Sequence, residues 1–370
     1  MDNLPTNNIF EVSLIGTGGG YGESVVIHMG DDNWAVIDSC IDPNSKNCLP
    51  LQYLEAKGVN VATNVKLIVC THWHNDHVQG ISTLLAACKS AVFSMARAND
   101  RKKFLLLVGL DTTRLKVSDG SSSTSEIQSC FEILSSRQTT FKNAEQDKTL
   151  FSSVSGKVSA SIKSLSPSDL VVSEFDSEIS TLISEFGKSN RKIINNKPNN
   201  KSVVLLISVN EHSAIFGADL EVTANPKKGW LCILDNSTVI KGVKAGLVKI
   251  PHHGSSNGYH DRIWTEIVEK DPTAKLTPWN IGKKLPKQEM LDTYLRHTAN
   301  LFITSDVKKS SKPKKREKRI EKTIFRFNPT LREIRYDFGI VRSRLDLNIS
   351  GCKWKTELFG SAKQIENERE

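Results

Sequence analysis

The stretch THWHNDHVQG, residues Thr71–Gly80, contains three histidines and one aspartate within six consecutive positions. It follows the run VKLIVC over residues 65–70, which is apolar on both faces and therefore predicts a covered interior strand. Imidazoles placed so close together lose solvation and rotamer freedom unless a positive charge orders them. A metal ion is the usual reason for such a cluster. The stretch therefore predicts a metal-binding loop at the end of a buried strand.

The composition is that of an ordinary globular protein. With 370 residues and 38% hydrophobic content, the chain is long enough for one large domain with additions or for two domains. Its seven cysteines include no CxxC pair, and this odd number favours reduced thiols in a cytosol. No signal peptide is evident at the N-terminus, and no apolar run approaches the ~18 residues that a membrane span requires. We therefore expect a cytoplasmic protein without a membrane partner.

The net charge of +9 favours an anionic partner. Much of the excess lies in VKKSSKPKKREKR, Val307–Arg319, which we call the basic run. A basic run of this kind is consistent with nucleic-acid binding and equally with a solvated linker. The sequence leaves these two interpretations open.

The order of predicted elements places ligand-type residues at strand ends. Residues 8–38 read as strand, glycine loop and two strands joined by the turn GDDN, and helices are predicted before VKLIVC and after the histidine loop. The region from about 95 to 157 carries no ligand cluster and reads as an insertion. Strands return around residues 202–221 and before PHHGS, and the late strand NLFITS closes the predicted core near Ser305.

The spacing inside the histidine loop suits two neighbouring ions. His72 and His74 are two residues apart, so in extended backbone their side chains emerge on the same side. Asp76 and His77 follow as the chain turns into a helix, which directs them to an adjacent position. Further ligands have to come from other strand ends, and Asp219 after AIFGA and the histidine pair after LVKIP are the candidates of the right type.

These residues resemble the metallo-β-lactamase superfamily of hydrolases. HWHNDH is similar to that family's HxHxDH motif, and Asp38, which closes WAVID, is similar to its first motif. GAD and PHHGS look most like the branch that contains the cytoplasmic domain of the DNA-uptake channel ComEC and phosphorylcholine esterase. The resemblance spans roughly residues 8–305.

The fold that the resemblance implies is α/β. It is a four-layer αββα sandwich of two mixed β-sheets flanked by helices. The hydrolase domain would occupy residues 1–305 with the insertion at about 95–157. Residues 306–370 would form a basic linker plus a small β-rich C-terminal extension that includes a hairpin over TIFRFNPTLREIRYDF, residues 323–338.

The resemblance also implies six metal ligands: His72 and His74 for the first ion, Asp76, His77 and His253 for the second, and Asp219 between the two. His252 would contact a phosphate or handle a proton, although the order within the histidine pair stays open. Asp38 would hold the ligand loop by hydrogen bonds.

One departure from the family concerns the first ion. Many members have a further histidine between the HxHxDH loop and the bridging aspartate, where this chain has only His212, in a predicted hairpin turn. We interpret His212 as an exposed turn residue. The first site then has room for water, substrate or a hydroxyl such as Ser166 or Ser168. Two divalent ions are implied, with zinc as the first expectation and exchangeable manganese as the alternative.

The function that follows is metal-dependent hydrolysis. Two cations would lower the pKa of a water between them from about 15.7 towards neutrality and so make hydroxide available, with Asp76 and His252 as the predicted catalytic residues. The positive charge and the likeness to the DNA-uptake branch favour a nuclease or phosphodiesterase acting on DNA or RNA, in bacterial antiviral defence or DNA processing. The alternatives are a hydrolase of a small phosphodiester, such as a cyclic nucleotide or phospho-head group, and a binding module with weak catalysis.

The other candidate functional residues are expected to have structural roles or to contact substrate only from the flanks. The loop GTGGGYG lacks the spacing of a phosphate-binding loop and is expected to allow tight backbone passage beside the metals. Packing or solvent exposure is the default for His28, His260 and His297. Three residues flank the histidine pair and are candidates for substrate contact: Lys249, Asn257 and Tyr259.

Overall fold

The structure is a computed structural model. It describes residues 4–18, 22–98, 100–115, 123–186, 198–307 and 338–366, together with 322, 323 and 326. The basic run after Val307 and most of the hairpin predicted over residues 323–338 lie outside these described residues.

The described residues form two β-sheets. Strands of the first sheet are β1 Ile9–Gly16, β2 Glu23–Met29, β3 Trp34–Ile37, β4 Val65–Cys70, β5 Val92–Ala96, β6 Lys142–Ala144, β14 Gly339–Asp346 and β15 Lys355–Gly360. Their order across the sheet is β15-β14-β1-β2-β3-β4-β5-β6. Pairs from β3 to β6 are parallel and the others are antiparallel, so the sheet is mixed.

The second sheet has the same plan. Its strands are β7 Lys148–Ser155, β8 Val158–Ser164, β9 Leu205–Val209, β10 His212–Phe216, β11 Ala245–Lys249, β12 Val268–Leu276, β13 Leu301–Ile303 and β16 Lys363–Ile365. Their order is β16-β13-β12-β11-β10-β9-β8-β7. Pairs from β10 to β13 are parallel and the remaining pairs are antiparallel.

Helices cover the outer face of each sheet. The described α-helices are α1 Leu49–Ala56, α2 Val61–Asn64, α3 Asn75–Val78, α4 Ile81–Ala87, α5 Arg101–Leu115, α6 Ser123–Ser136, α7 Asp169–Phe186, α8 Gly229–Asn236 and α9 Gln288–Leu295. One core cluster joins the first sheet to α1 and α4–α7, and a second joins the other sheet to α8 and α9. A third cluster fills the space between the sheets. The predicted four-layer αββα sandwich is confirmed.

Alternation along the strands explains this layering. On β1, Phe10, Val12 and Leu14 face the core between the sheets, whereas Glu11 and Ser13 form buried hydrogen bonds with Tyr53 of α1 on the other side. On β4, Leu67 and Val69 belong to the inter-sheet core, while Ile68 and Cys70 belong to the helix-covered core. Because β4 is buried on both faces, its sequence is apolar throughout, as predicted.

Local turn signals are also confirmed. Asp31 and Asp32 in the turn GDDN have φ of 47° and 56°, the left-handed values that a tight hairpin turn between β2 and β3 requires. Gly58 ends the α1 region with φ of 79°.

The strands that follow residue 338 complete both sheets. β14 pairs with β1 along its whole length, and β16 pairs with β13. Most of β14 is buried, and the ammonium of Lys275 on β12 donates to the carbonyls of Val12 and Val341. The division at Ser305 stays a prediction, but the C-terminal strands are integral to the sandwich. No described helix is long and apolar enough to cross a bilayer.

Candidate metal centre

Loops from both sheets meet at one edge of the sandwich. The parallel strands β3 and β4 end at Ile37 and Cys70, so Asp38 and the histidine loop emerge side by side. The parallel strands β10 and β11 likewise lead to Asp219 and to the histidine pair. The structure thereby brings all six predicted ligands together from three separate segments.

The first ligand group contains His72, His74 and Asp219, whose ligand atoms all lie within 4.8 Å of one another. His72 Nε2 lies 3.2 Å from His74 Nδ1 and 3.8 Å from Asp219 Oδ2. Ligand atoms about 2.1 Å from a tetrahedral ion are about 3.4 Å apart. The separations in this group bracket that value.

The second ligand group contains Asp76, His77, Asp219 and His253, and all four are buried. His77 Nε2 lies 3.5 Å from Asp76 Oδ2 and 3.6 Å from Asp219 Oδ1. His253 Nε2 lies 3.2 Å from the same Asp76 oxygen and 3.6 Å from Asp219 Oδ2. Asp219 belongs to both groups and offers one oxygen to each side, which is the arrangement of a bridging carboxylate.

Three of the imidazoles are oriented by contacts of their Nδ1 atoms. His77 Nδ1 donates to Asp38 Oδ2 at 2.7 Å, and His253 Nδ1 donates to the Thr277 carbonyl at 3.0 Å. His72 Nδ1 lies 3.0 Å from the hydroxyl of Thr71, which itself donates to Asp38. These bonds fix the tautomers and turn the Nε2 lone pairs towards the carboxylates.

Two buried atoms of the centre lack hydrogen-bond partners in the described part of the chain: His77 Nε2 and Asp219 Oδ1. Burying a polar atom without a partner costs free energy, so such pairs of orphaned atoms need an explanation. A lone pair on nitrogen facing a carboxylate oxygen at 3.6 Å suits a shared cation. The residues present therefore fit divalent metal ions.

The electrostatics favour a positive charge at the same point. Burial lowers the pKa of His77, but Asp76, Asp219 and Asp38 outweigh burial and raise that pKa well above its usual value. Burial raises the pKa of Asp219, whereas His253 and His77 hold it well below its usual value. A divalent cation can supply the charge that these carboxylates attract.

Asp38 has the contacts that its predicted holding role needs. Its Oδ1 accepts from the Thr71 main-chain N–H at 2.7 Å, and its Oδ2 accepts from the Thr71 hydroxyl at 2.7 Å and from His77. One carboxylate thus ties the start of the histidine loop to the imidazole at its end.

His252 lies outside both ligand groups, so the structure favours His253 as the ligand of the pair. Its Nδ1 lies 2.9 Å from Asn257 Oδ1, and its Nε2 lies 3.2 Å from Asn199 Nδ2. Glu221 Oε1 accepts from Asn199 at 2.9 Å and lies 3.5 Å from His252 Nδ1. His252 is thus a partly exposed imidazole, 18% accessible, held by polar side chains beside the centre.

Of the groups expected at the open position of the first ligand group, the two serine hydroxyls are engaged elsewhere. The Ser166 hydroxyl donates to the Ser202 carbonyl and accepts from the Val204 main-chain N–H, while the Ser168 hydroxyl donates to the Lys227 carbonyl. Both hydroxyls are engaged by main chain instead of pointing to a metal.

The interpretation of His212 as an exposed turn residue is wrong. His212 is the first residue of β10, is half-buried, and lies at the opposite end of that strand from Asp219. It is therefore not available as the missing ligand.

Two of the flanking candidates are engaged elsewhere. Lys249 was expected to be able to reach substrate, but it is buried and forms an ion pair with Glu23. Tyr259 donates to Asp261 and pairs with His297 Nε2 at 2.8 Å. Asn257 contacts His252 and stays a candidate.

The remaining histidines have structural surroundings. His28 is buried against Trp34, and its Nδ1 donates to the Ile9 carbonyl at 2.8 Å. His260 Nδ1 accepts from the Arg262 main-chain N–H. His297 stacks on Trp264 just beyond the end of α9.

Close backbone passage beside the centre is borne out at Gly22. A Cβ at this position would lie 2.6 Å from the Cβ of Cys40 and 3.0 Å from the carbonyl of Asp76, so no larger residue fits. The preceding residues 19–21 of the glycine loop lie outside the described part of the chain.

Sequence reasoning missed several residues that shape the centre: Glu23, Thr71, Asn199, Thr277 and Trp279. Thr277 acts through its main-chain carbonyl, which every residue type has, so the sequence contains no signal for it. Thr71 acts through its hydroxyl, but a single threonine after a strand is too common to indicate a role. Glu23 is the first residue of β2, and an acidic residue at the start of an otherwise apolar buried strand is the signal that could have found it; Asn199 lies in the turn Pro198–Lys201 and carries no such signal.

Comparison with known proteins agrees with this geometry. Residues 17–99, which include Asp38 and the histidine loop, match the family model of the metallo-beta-lactamase superfamily. The match supports membership of this superfamily. A search of curated proteins gave no match.

Three solved structures illustrate the structural likeness. Hydrolase AbOPH of the beta-lactamase superfamily is 14% identical, with a TM-score of 0.35 over 58% of this chain and 72% of that chain. A metallo-beta-lactamase HARLDQ motif protein from Cronobacter sakazakii is 13% identical, with a TM-score of 0.30 over 58% and 62%. Metallo-beta-lactamase SMB-1 bound to 2-mercaptoethanesulfonate is 13% identical, with a TM-score of 0.33 over 70% and 83%.

The sandwich and the histidine–aspartate cluster together suggest a metal-dependent hydrolase. The cluster suits divalent metal ions.

Proposed function

We propose that this protein is a phosphodiesterase that cleaves nucleic acid with two divalent metal ions. The observation that carries the proposal is the shared position of Asp219 between two ligand groups, with His252 beside them and outside both. Ions held in the two groups would supply Lewis acidity towards a phosphate oxygen and lower the pKa of a nearby water. Zinc or manganese would suit the mixed nitrogen and oxygen donors.

His252 has the surroundings of a proton-transfer residue. Its Nδ1 donates to Asn257 Oδ1, and its Nε2 accepts from Asn199 Nδ2. On substrate binding, Nε2 would exchange its contact with Asn199 for the substrate, take up a proton from the attacking water and pass it to the leaving oxygen of a cleaved diester. Glu221, 3.5 Å from Nδ1, would stabilise the positive imidazolium.

Asp76 is the other predicted catalytic residue, and it would act as a ligand of the second ion. Its Oδ2 contacts both His253 and His77 at 3.2 and 3.5 Å. A change at Asp76 would therefore alter the ion position and the reaction together.

The preference for nucleic acid rests on the position of the basic run in the chain. The ring of Trp279 lies 5.5 Å from that of His253, and the side chain of the next residue, Asn280, donates to the carbonyls of Gly18 and Asp306. The basic run begins at Val307, directly after Asp306, whose carbonyl accepts from the residue that follows Trp279. Anionic polymer is the ligand class that such a run attracts.

The GAD motif at Gly217–Asp219 and the PHHGS motif support placement near the ComEC and phosphorylcholine-esterase branch, and with it a role in bacterial defence or DNA processing. The alternative function is hydrolysis of a small phosphodiester, such as a cyclic nucleotide or phospho-head group, in place of nucleic acid.

A substrate panel tests the proposal. Protein stripped by chelation and refilled with Mn²⁺ or Zn²⁺ is offered single-stranded DNA, double-stranded DNA, RNA, a cyclic dinucleotide and bis-p-nitrophenyl phosphate. We expect cleavage of a nucleic acid that His72→Ala abolishes and His212→Ala, a histidine remote from the centre, retains. Equal cleavage by His72→Ala would eliminate the proposal, and turnover of the small diesters alone would support the alternative substrate class.

The role of the basic run is tested by neutralising charges instead of deleting chain, because β14–β16 complete both sheets. Lysines at 308, 309, 312, 314 and 315 are changed to glutamine. If they contact phosphates, DNA affinity falls and the salt dependence becomes shallower by about one unit of slope per lost contact. Unchanged affinity and slope would assign the run to a linker.

A further inference from the structure

We infer that Lys249 and Glu23 form a buried ion pair that positions the bridging carboxylate Asp219 and thereby sets the affinity of the second ligand group for a divalent cation. The inference deepens the proposed function, because it rests on the metal centre described above.

The pair joins the two sheets directly beside the centre. Glu23 is the first residue of β2 in one sheet, and Lys249 is the last residue of β11 in the other. Both side chains are 3% exposed, and the ammonium contacts Glu23 Oε1. Neither group can therefore be reached by a bulky substrate.

Lys249 controls the turn that presents Asp219. Its ammonium donates to the Ala218 carbonyl at 3.2 Å, and the main-chain N–H of His252 donates to the same oxygen at 2.9 Å. Ala218 has a φ of 43°, a left-handed value that is costly for any residue with a Cβ. Such a conformation persists only when its surroundings hold it, and Lys249 is one of the two donors that do so.

Glu23 contacts the other side of the centre. Its Oε1 lies 3.9 Å from His77 Nδ1, the nitrogen that donates to Asp38. Glu23 therefore contributes negative charge next to a candidate ligand, while Lys249 balances that charge. Burial lowers the pKa of Lys249, but Glu23 and Asp219 outweigh burial and raise it, so the ammonium stays charged.

Positioning and simple electrostatics predict opposite outcomes for Lys249→Met. If Lys249 acted only through its charge, its loss would leave more negative charge near the ions and strengthen cation binding. If it positions Asp219, its loss releases the Ala218 carbonyl and weakens cation binding. We expect an affinity for the second ion that is lower by about 10–100-fold, the range found when a residue that supports a metal ligand is removed.

The chain offers a matched control in Lys275. This lysine is the register partner of Lys249 on the neighbouring strand β12 and is also fully buried, but its ammonium donates to Val12 and Val341 instead of to the centre. Lys275→Met removes a buried lysine from the same part of the sandwich without touching Asp219.

The test measures Mn²⁺ and Zn²⁺ dissociation constants by competition with a chromophoric chelator for the full chain and four variants: Lys249→Met, Lys249→Arg, Glu23→Gln and Lys275→Met. We expect weaker second-ion binding in Lys249→Met and Glu23→Gln, recovery of most of the affinity in Lys249→Arg, and wild-type affinity in Lys275→Met. Thermal unfolding in chelator establishes that each variant is folded, and Lys249→Gln, whose side chain is too short to reach the Ala218 carbonyl, replaces Lys249→Met if that variant does not fold.

Cation binding in Lys249→Met that equals or exceeds the wild type would overturn the inference, as would equal weakening in Lys275→Met. If wild-type protein itself binds no cation, the proposed metal centre fails first. The two failures are therefore distinguishable.

Discussion

Two buried polar clusters in this molecule differ in one respect, the source of their bonding partners. The Glu11 cluster comprises Glu11, Tyr53, Lys57 and Arg344. The metal centre comprises the two ligand groups around Asp219. Both clusters contain buried carboxylates, Glu11 on β1 and Asp219 after β10.

In the Glu11 cluster the protein satisfies the carboxylate completely. Glu11 Oε1 accepts from the Tyr53 hydroxyl at 2.8 Å, and Oε2 accepts from Arg344 Nε at 2.7 Å and from Lys57 Nζ at 3.4 Å. Two cations from the chain face one anion. Each oxygen of Glu11 therefore has a partner from the chain, which offsets the cost of burying this carboxylate.

In the metal centre, by contrast, the chain does not supply a hydrogen-bond partner for every buried polar atom. Asp219 Oδ1 and His77 Nε2 have no hydrogen-bond partner in the described part of the chain, and the nitrogen–oxygen separations around Asp219 are 3.6–3.8 Å. Those separations are too long for hydrogen bonds and suit atoms that share a cation. The two clusters thus differ in whether the described chain supplies a partner for every carboxylate oxygen.

The largest effect should come from breaking the shared ligand. Asp219→Asn keeps the shape of the side chain but removes its charge from both ligand groups. We expect hydrolysis of the best substrate to fall by more than about 1000-fold, since without the ions the pKa of water returns from about 7 towards 15.7. Turnover is measured with saturating Mn²⁺ or Zn²⁺, and a loss of less than tenfold would contradict the assignment of Asp219.

The opposite pattern is expected from the Glu11 cluster. Glu11→Gln leaves the buried Lys57 without its anion, so we expect the free energy of unfolding to fall by about 3 kcal/mol. Bound cation per folded chain should not change. Urea unfolding and metal analysis measure the two quantities, and loss of cation from the folded variant would show that the clusters are coupled.

Asp38 combines features of both clusters. Its carboxylate accepts hydrogen bonds from the chain at both oxygens, and it also contacts His77, a candidate metal ligand. Asp38→Asn weakens its bond with His77 and frees that imidazole to change tautomer. We expect cation affinity to fall by about 10–100-fold with turnover recoverable at high metal concentration. A normal dissociation constant in this variant would remove Asp38 from the centre.

The smallest expected effect is a pH dependence in the Glu11 cluster. Burial outweighs Glu11 and lowers the pKa of Lys57 to about 8. The unfolded chain therefore binds more protons at this residue than the folded chain above pH 8, so the contribution of Lys57 to stability rises with pH. We expect wild type to gain about 1.5 kcal/mol relative to Lys57→Met between pH 8 and 9.5. A constant difference between the two unfolding free energies would contradict this.

The sequence predicts most of the centre because its signals are local. HWHNDH places four ligand-type side chains in one loop, and the buried strands before Asp38, Asp219 and His253 can be recognised from apolar runs. Parallel neighbouring strands then bring their ends to one edge, so convergence follows from topology. The order of His252 and His253 could not be predicted, because both follow Pro251 and both adopt left-handed φ, of 46° and 51°.

Long-range pairing accounts for what sequence reasoning missed. A lysine before PHHGS is naturally expected to face solvent or substrate, and only its cross-sheet partner Glu23 explains why Lys249 is buried. β14 was also not placed from the sequence, because its partner β1 lies at the far end of the chain. Local periodicity carries no information about such pairing.

The most direct test of the metal centre is the number of divalent ions per chain after chelation, refilling and removal of excess metal. We predict two Zn²⁺ or Mn²⁺ ions per wild-type chain, two for His212→Ala, and fewer than one for Asp219→Asn. Wild-type protein that retains no ion, or Asp219→Asn that retains as many as wild type, would contradict the account.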